Sequence, residues 1–214
     1  LACREGLFLD RRRVESTDSA HWEPAYRLLM NKMVQAAVIE NDARVILRDG
    51  LAYDRCQVGV VTGIDPGVTW PEFYMETPEH LARIFRTQVD VVLPGGAAVL
   101  NADDPLTAEL APLCDGTVLC YGLDPDADTL RAHLGGGGRA VSVHGGMAVL
   151  VEGGIQIPVI GLDELAPAID ADGPAPVLAA LAVAWALGLD VERMRIGLRT
   201  WNARRIPDES PLIA

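Results

Sequence analysis

Gly96-Ala97-Ala98-Val99-Leu100-Asn101-Ala102-Asp103-Asp104-Pro105 runs from small and aliphatic residues straight into an Asn, two Asp and a Pro. The uncharged part reads as a buried strand. The polar part reads as a turn followed by a helix start at Pro105, with Asp103 or Asp104 as a candidate cap, since Asp before a first-position Pro is a common helix opening. In an open α/β sheet, ligands bind in the crevice at the carboxyl ends of the strands. This turn therefore has two readings, a plain cap or a ligand-side element.

The flanking sequence repeats the strand-then-helix pattern. Gln57 to Gly63 is an uncharged strand that ends in a loop, Ile64 to Pro71. Thr77-Pro78-Glu79 opens a helix that runs to about Val92, with Thr as cap and Glu in the first turn. A helix over Leu106–Leu113 and a strand over Thr117–Tyr121 follow. Short uncharged strands alternating with helices argue for a mostly parallel sheet with helices on both faces. Beyond Gly135-Gly136-Gly137-Gly138, read as a turn, strands are expected over 140–143, 147–151 and 155–160. Glycine turns join them into a small antiparallel sheet. Val177–Leu187 is apolar all round and reads as a buried helix, and Val191–Trp201 as an amphipathic one. Towards the N-terminus, residues 2–15 read as extended or hairpin-like. Trp22, Tyr26, Leu29 and Met33 share a helical stripe, which is expected to be core. Ala36–Ile39 reads as a short buried strand ending at Glu40.

Composition narrows the function. The chain has 214 residues and a formal charge of −12. Residues 1–55 carry 9 basic and 9 acidic side chains, and the remainder 9 and 21. A nucleic-acid binder has the opposite bias. Lys32 is the single lysine beside 17 arginines, and no glycine lies near it, so these residues contain no Gly-Lys-Ser/Thr phosphate loop. The four cysteines form no Cys-x-x-Cys pair and the four histidines are scattered, so no zinc spacing exists. Reduced thiols and a cytoplasmic location are expected. The longest uncharged run, Gly173 to Leu189, has 17 residues with two prolines, short for a membrane span.

Arg48-Asp49-Gly50-Leu51-Ala52-Tyr53-Asp54-Arg55-Cys56, followed by Val58-Gly59-Val60-Val61-Thr62, resembles the central, Mur-ligase-type domain of cyanophycin synthetases. So do Leu7–Asp10 with Arg12–Glu15, Ala98–Pro105 and Gly197–Trp201. The likeness extends over residues 3 to about 202. It implies a Rossmann-like ATP-binding domain over residues 1–203, incomplete at its N-terminus, with 204–214 as a linker or tail. It also implies ATP- and Mg²⁺-dependent amide-bond formation on a poly-aspartate backbone bearing arginine. By the same resemblance, Glu40 matches a metal-binding Glu, Asn101 an adenine-binding Asn, and Asp103 the nucleotide-side element.

Several positions depart from the family pattern. Asn41–Ile46 keeps only Ala43 and Arg44, Gly63 stands where the family has Asn, and Asp65–Trp70 replaces an Asp-His-Leu-Gly element. Phe85 and Arg86 lie where a helix Lys is expected, and the family's phosphate-binding loop would precede Leu1. Two readings follow: part of a synthetase-like ligase, inactive by itself, or a non-catalytic pseudo-ligase. The expected partners are an active synthetase, the rest of the same polypeptide, or the polymer, in a homo- or hetero-oligomer, with neither nucleic acid nor membrane.

Overall fold

Ala98, Val99 and Leu100 are fully buried, and the strand that carries them is the longest among the described residues. The structure, a computed structural model, describes residues 1–165, 169 and 173–202. The tail expected over 204–214 lies outside them. Two compact units are present: Leu1–Cys56 with Asp65–Thr87, and Gln57–Ile64 with the described residues from Gln88 onward.

In chain order the elements are β1 (Ala2–Cys3), β2 (Gly6–Leu9), β3 (Arg12–Glu15), α1 (Trp22–Met30), α2 (Ala43–Asp49), β4 (Cys56–Val61), α3 (Pro78–Asp90), β5 (Val92–Asn101) and α4 (Pro105–Ala108). Then come β6 (Thr117–Gly122), α5 (Asp128–Gly135), β7 (Arg139–His144), β8 (Met147–Glu152), β9 (Ile155–Gly161), α6 (Leu162–Leu165), α7 (Ala175–Ala186) and α8 (Val191–Asn202).

The second unit is built on a six-stranded sheet of order β4-β5-β6-β7-β8-β9. β5 pairs parallel with β6, and β6 with β7; β7–β8 and β8–β9 are antiparallel. Alternating residues of one strand face opposite sides of a sheet. Leu119 and Tyr121 of β6 accordingly join the core under α7 and α8, with Val177, Leu178, Leu181 and Met194. Cys120 joins Ala102, Ala140 and Leu130 of α5 on the other face. Both faces being covered explains why these strands read as continuous apolar runs.

The glycine turns behave as expected: Gly145-Gly146 and Gly153-Gly154 all have positive φ, which tight hairpins demand. The three strands they join do not form a sheet of their own. β7 bonds to β6, so they extend the main sheet. Its far edge is β9, where the Arg195 side chain donates to the Val159 carbonyl at 2.6 Å and the Pro158 carbonyl at 2.8 Å.

The small separate antiparallel sheet is β1-β2-β3, in the first unit. Ala2, Leu7 and Leu28 form its core, with Leu9, Val34 and Ile39 against them. Two sequence expectations are corrected here. Ala36–Ile39 is not a buried strand. Ile39 makes one parallel bridge to Ala2, and Val38 is 65% exposed. On α1 the buried residues are Pro24, Ala25 and Leu28, while Trp22, Tyr26 and Leu29 are exposed, as is Met33, which lies past the helix end at Met30. The aromatic stripe lies on the outer face, where the Trp22 and Tyr26 rings stack at 4.8 Å.

Candidate functional site

Where β5 leaves the sheet, its last residue and the next three tie the ends of neighbouring strands together. Asn101 Nδ2 donates to the Thr62 carbonyl just past β4 at 2.8 Å, and its Oδ1 accepts from the Asp103 N–H at 3.0 Å. The Ala102 N–H continues the ladder onto Tyr121 at 2.7 Å. Asp103 Oδ2 accepts from the Leu123 N–H, just past β6, at 2.7 Å. Asp104 is the cap of α4: its Oδ1 accepts from Leu106 N–H at 3.0 Å and Thr107 N–H at 3.5 Å. Its Oδ2 accepts from the Thr107 hydroxyl at 2.8 Å and the Ile64 N–H at 2.6 Å. The choice between cap and ligand-side element thus divides between two adjacent residues. Asp104 is spent on the cap and on the loop after β4.

Asp103 is exposed, and its Oδ1 has no hydrogen-bond partner among the described residues. That oxygen lies over Gly122, where a Cβ would come within 2.9 Å of it. The glycine leaves room for the carboxylate against the end of β6. Asn101 retains one amide hydrogen and one carbonyl lone pair beyond its two bonds, the donor–acceptor pair that an amide can offer to a base edge. Burial first, and then the charges of Asp103 and Asp104, push the Tyr121 phenol above its ordinary range. Its hydroxyl stays protonated and donates to the Thr62 carbonyl at 3.3 Å. On β7, Ser142 pairs in register with Gly122, and its buried Oγ has no partner among the described residues.

Glu40 belongs to the first unit, and Asn101 and Asp103 to the second. Glu40 Oε2 accepts from the Arg4 N–H at 2.9 Å, and Oε1 lies 3.6 Å from Arg4 Nε. Donor atoms of Cys3, Glu5 and Glu40 lie within 4.8 Å of one another. Burial raises the Cys3 thiol above its usual value, and a hydrogen bond from Cys3 holds Glu5 below the usual carboxylate range. A protonated thiol beside an arginine-paired carboxylate suits hard, octahedral Mg²⁺ poorly. The donor set as it stands does not fit that ion.

Sequence reading missed Thr62, Ile64, Gly122 and Leu123 as members of the site, because all but Gly122 contribute only backbone atoms. It also missed α2, although Asp42 before it and Gly50 after it are ordinary helix punctuation.

No family model matches the chain. A cyanophycin synthetase of Crocosphaera subtropica is 31% identical over 207 residues, covering 93% of this chain and 23% of the relative. A cyanophycin synthetase of Synechocystis sp. is 32% identical over 206 residues, covering 92% and 23%. The chain spans about a quarter of the length of the curated relatives it matches. Among solved structures, MurF from Acinetobacter baumannii matches with a TM-score of 0.50 at 17% identity, covering 79% of this chain and 35% of that one, a likeness of fold.

Proposed function

We propose, from the premise that this chain is a cyanophycin synthetase-like Mur ligase domain, that it serves the nucleotide side of an ATP-dependent amide-bond-forming ligase acting on a poly-aspartate/arginine polymer in the cytoplasm. The observation that carries the reading is the turn Asn101–Asp104. It lies at the carboxyl ends of β4, β5 and β6, with Asn101 and Asp103 Oδ1 holding unused bonding capacity. In this reading Asn101 receives the base, and Asp103 borders the nucleotide. Bound ATP would supply the phosphoryl group that activates a carboxylate for attack by an amine. Glu40 could join a metal only after release from Arg4, so no step is assigned to it.

The test is calorimetric titration of the chain with ATP. Loss of one base-directed hydrogen bond to a charged or polar partner weakens binding roughly tenfold, so Asn101→Ala is expected to raise Kd by about that factor. An unchanged Kd removes Asn101 from the site.

A second reading is favoured by the paired state of Glu40 and by the single lysine among 214 residues. Here the chain is a pseudo-ligase that pairs with an active synthetase. Phosphoryl transfer depends on placed positive groups, each worth roughly 10²–10³ in rate, and Asp65–Trp70 and Phe85-Arg86 stand where the family pattern has its loop His and helix Lys. ATP-driven addition of Asp or Arg by the purified chain would exclude this reading. Absence of ATP binding, together with retention of an active synthetase at low salt, would establish it.

A further inference from the structure

The hairpin that opens the first unit carries a cluster of metal-ligating groups. The Cys3–Gly6 pair closes a two-residue turn between β1 and β2, so Cys3 and Glu5 stand on either side of Arg4. Glu40 reaches them from a distant stretch of chain, through main-chain bonds. The Ala2 N–H donates to the Val38 carbonyl and the Glu40 N–H to the Ala2 carbonyl, both at 2.9 Å. The Arg4 N–H then donates to Glu40 Oε2 at 2.9 Å. The backbone therefore fixes all three positions.

One ligand atom from each of Cys3, Glu5 and Glu40 lies within 4.8 Å of the other two. Around a tetrahedral ion with Zn–S of about 2.3 Å and Zn–O of about 2.1 Å, such atoms sit roughly 3.4–3.6 Å apart. Side-chain rotation of about 1 Å closes the set. Cys3 is 7% exposed, and among the described residues no N–H or O–H donates to its sulfur. Its own S–H reaches the Gly6 carbonyl only at 3.6 Å and turns towards Glu5. Its lone pairs are thus unused beside two carboxylates. Glu5 is exposed, which leaves a path in from solvent. Arg4 does not block the set: its nearer partner is Asp42 at 2.6 Å, against 3.6 Å to Glu40, so it stays paired when Glu40 turns away.

We infer that Cys3, Glu5 and Glu40 bind a borderline-soft divalent cation, Zn²⁺ by preference, with water as the fourth ligand. The ion takes the place of the thiol proton, which passes to solvent. One thiolate and two carboxylates around Zn²⁺ leave a single negative charge, which the nearby Arg4 offsets. The resemblance gave Glu40 a Mg²⁺ role, but its neighbours here change the cation. Thiolate selects Zn²⁺, whereas Mg²⁺ demands an octahedral shell of oxygens. The inference stands apart from the ligase reading, and its test uses no nucleotide, so either can fail alone.

The experiment is isothermal titration of the whole chain with ZnCl₂ in excess Mg²⁺, alongside titration with Co²⁺ followed by absorbance. Saturable binding of one Zn²⁺ per chain is expected, and Co²⁺ should give a near-ultraviolet thiolate-to-metal charge-transfer band. Loss of an outer-shell partner alone costs a metal site roughly 10–100-fold, so Glu5→Gln, at an exposed position, should weaken Zn²⁺ binding by about tenfold or more. Cys3→Ser should abolish the cobalt band. Cys114→Ser, in the second unit, should leave both readings unchanged. Circular dichroism melts establish that the variants fold, and Glu5→Gln decides the matter if Cys3→Ser does not. Any of three results would overturn the inference: no saturable Zn²⁺ binding, equal affinity in Glu5→Gln and the parent, or a cobalt band that survives Cys3→Ser. Displacement of Zn²⁺ by an equal concentration of Mg²⁺ would overturn the choice of cation.

Discussion

Replacing Asp104 by Ala should destabilise the protein far more than replacing its neighbour Asp103. Asp104→Ala removes the acceptor for the Leu106 and Thr107 N–H groups, an N-cap loss of about 1 kcal/mol. It also strands the Ile64 N–H. Ile64 is only 4% exposed, so water cannot readily take the place of the carboxylate, and an unsatisfied buried donor costs about 1–3 kcal/mol. The two contributions together come to about 2–4 kcal/mol. At roughly 2–4 °C per kcal/mol for a chain of this size, the melting temperature should fall by several degrees or more. Asp103→Ala frees only the N–H of Leu123, which is 41% exposed and can turn to water, so its cost should stay below about 1 kcal/mol. Asp104→Asn keeps an oxygen for the helix cap and puts an N–H donor against the Ile64 N–H or the cap. Its cost should fall between the other two. Urea unfolding followed by far-UV circular dichroism measures all three. Equal midpoints for Asp104→Ala and Asp103→Ala would refute the division of labour between the two carboxylates.

Other expectations concern β6 and β7 of the same sheet. Burial pushes the Cys120 thiol from the usual 9.0 up to about 12. The folded chain then keeps a proton that the unfolded chain loses. This thiol's contribution is intact below about pH 9 and is lost as the pH rises through 12, at no more than about 1.4 kcal/mol per pH unit. Urea midpoints measured from pH 8 to 10.5 should therefore fall less steeply for Cys120→Ala than for the parent; parallel slopes would refute the assignment. Ser142→Ala removes a buried hydroxyl that has no partner among the described residues. It should be neutral or stabilising by up to about 1 kcal/mol, and a loss of more than that in a thermal melt would mean the hydroxyl is bonded after all.

The second unit was largely legible in the sequence because its signals are local and redundant. β6 through β9 begin and end within one or two residues of their expected bounds, since glycine turns and uncharged runs mark both ends. The four-glycine run drew attention to the turn and hid α5, whose last residue is Gly135. The first unit was harder to read. On α1, Trp22 and Tyr26 fall at helical spacing with Leu29, but so do Ala25 and Leu28 on the other side. Periodicity finds a stripe without saying which of two stripes faces inward, and here the smaller residues do. The site divided in the same way. Asn and Asp at a strand end could be read from sequence. Their partners are main-chain groups of Thr62, Ile64 and Leu123, which have no residue-type signature.

The far edge of the six-stranded sheet also bears on how the protein behaves among its own copies. An unpaired edge strand offers a row of main-chain groups on which another strand can template itself. β9 carries Pro158 in its interior, which has no N–H to offer, and the Arg195 guanidinium already occupies the Pro158 and Val159 carbonyls. Midway along β9, an approaching strand therefore meets a missing donor, two spent acceptors and a positive charge. This arrangement works against edge-to-edge stacking into fibrils. It lets a chain whose outer half of β9 exposes Ile155 and Ile157 keep those side chains in water without their becoming the seed of an aggregate.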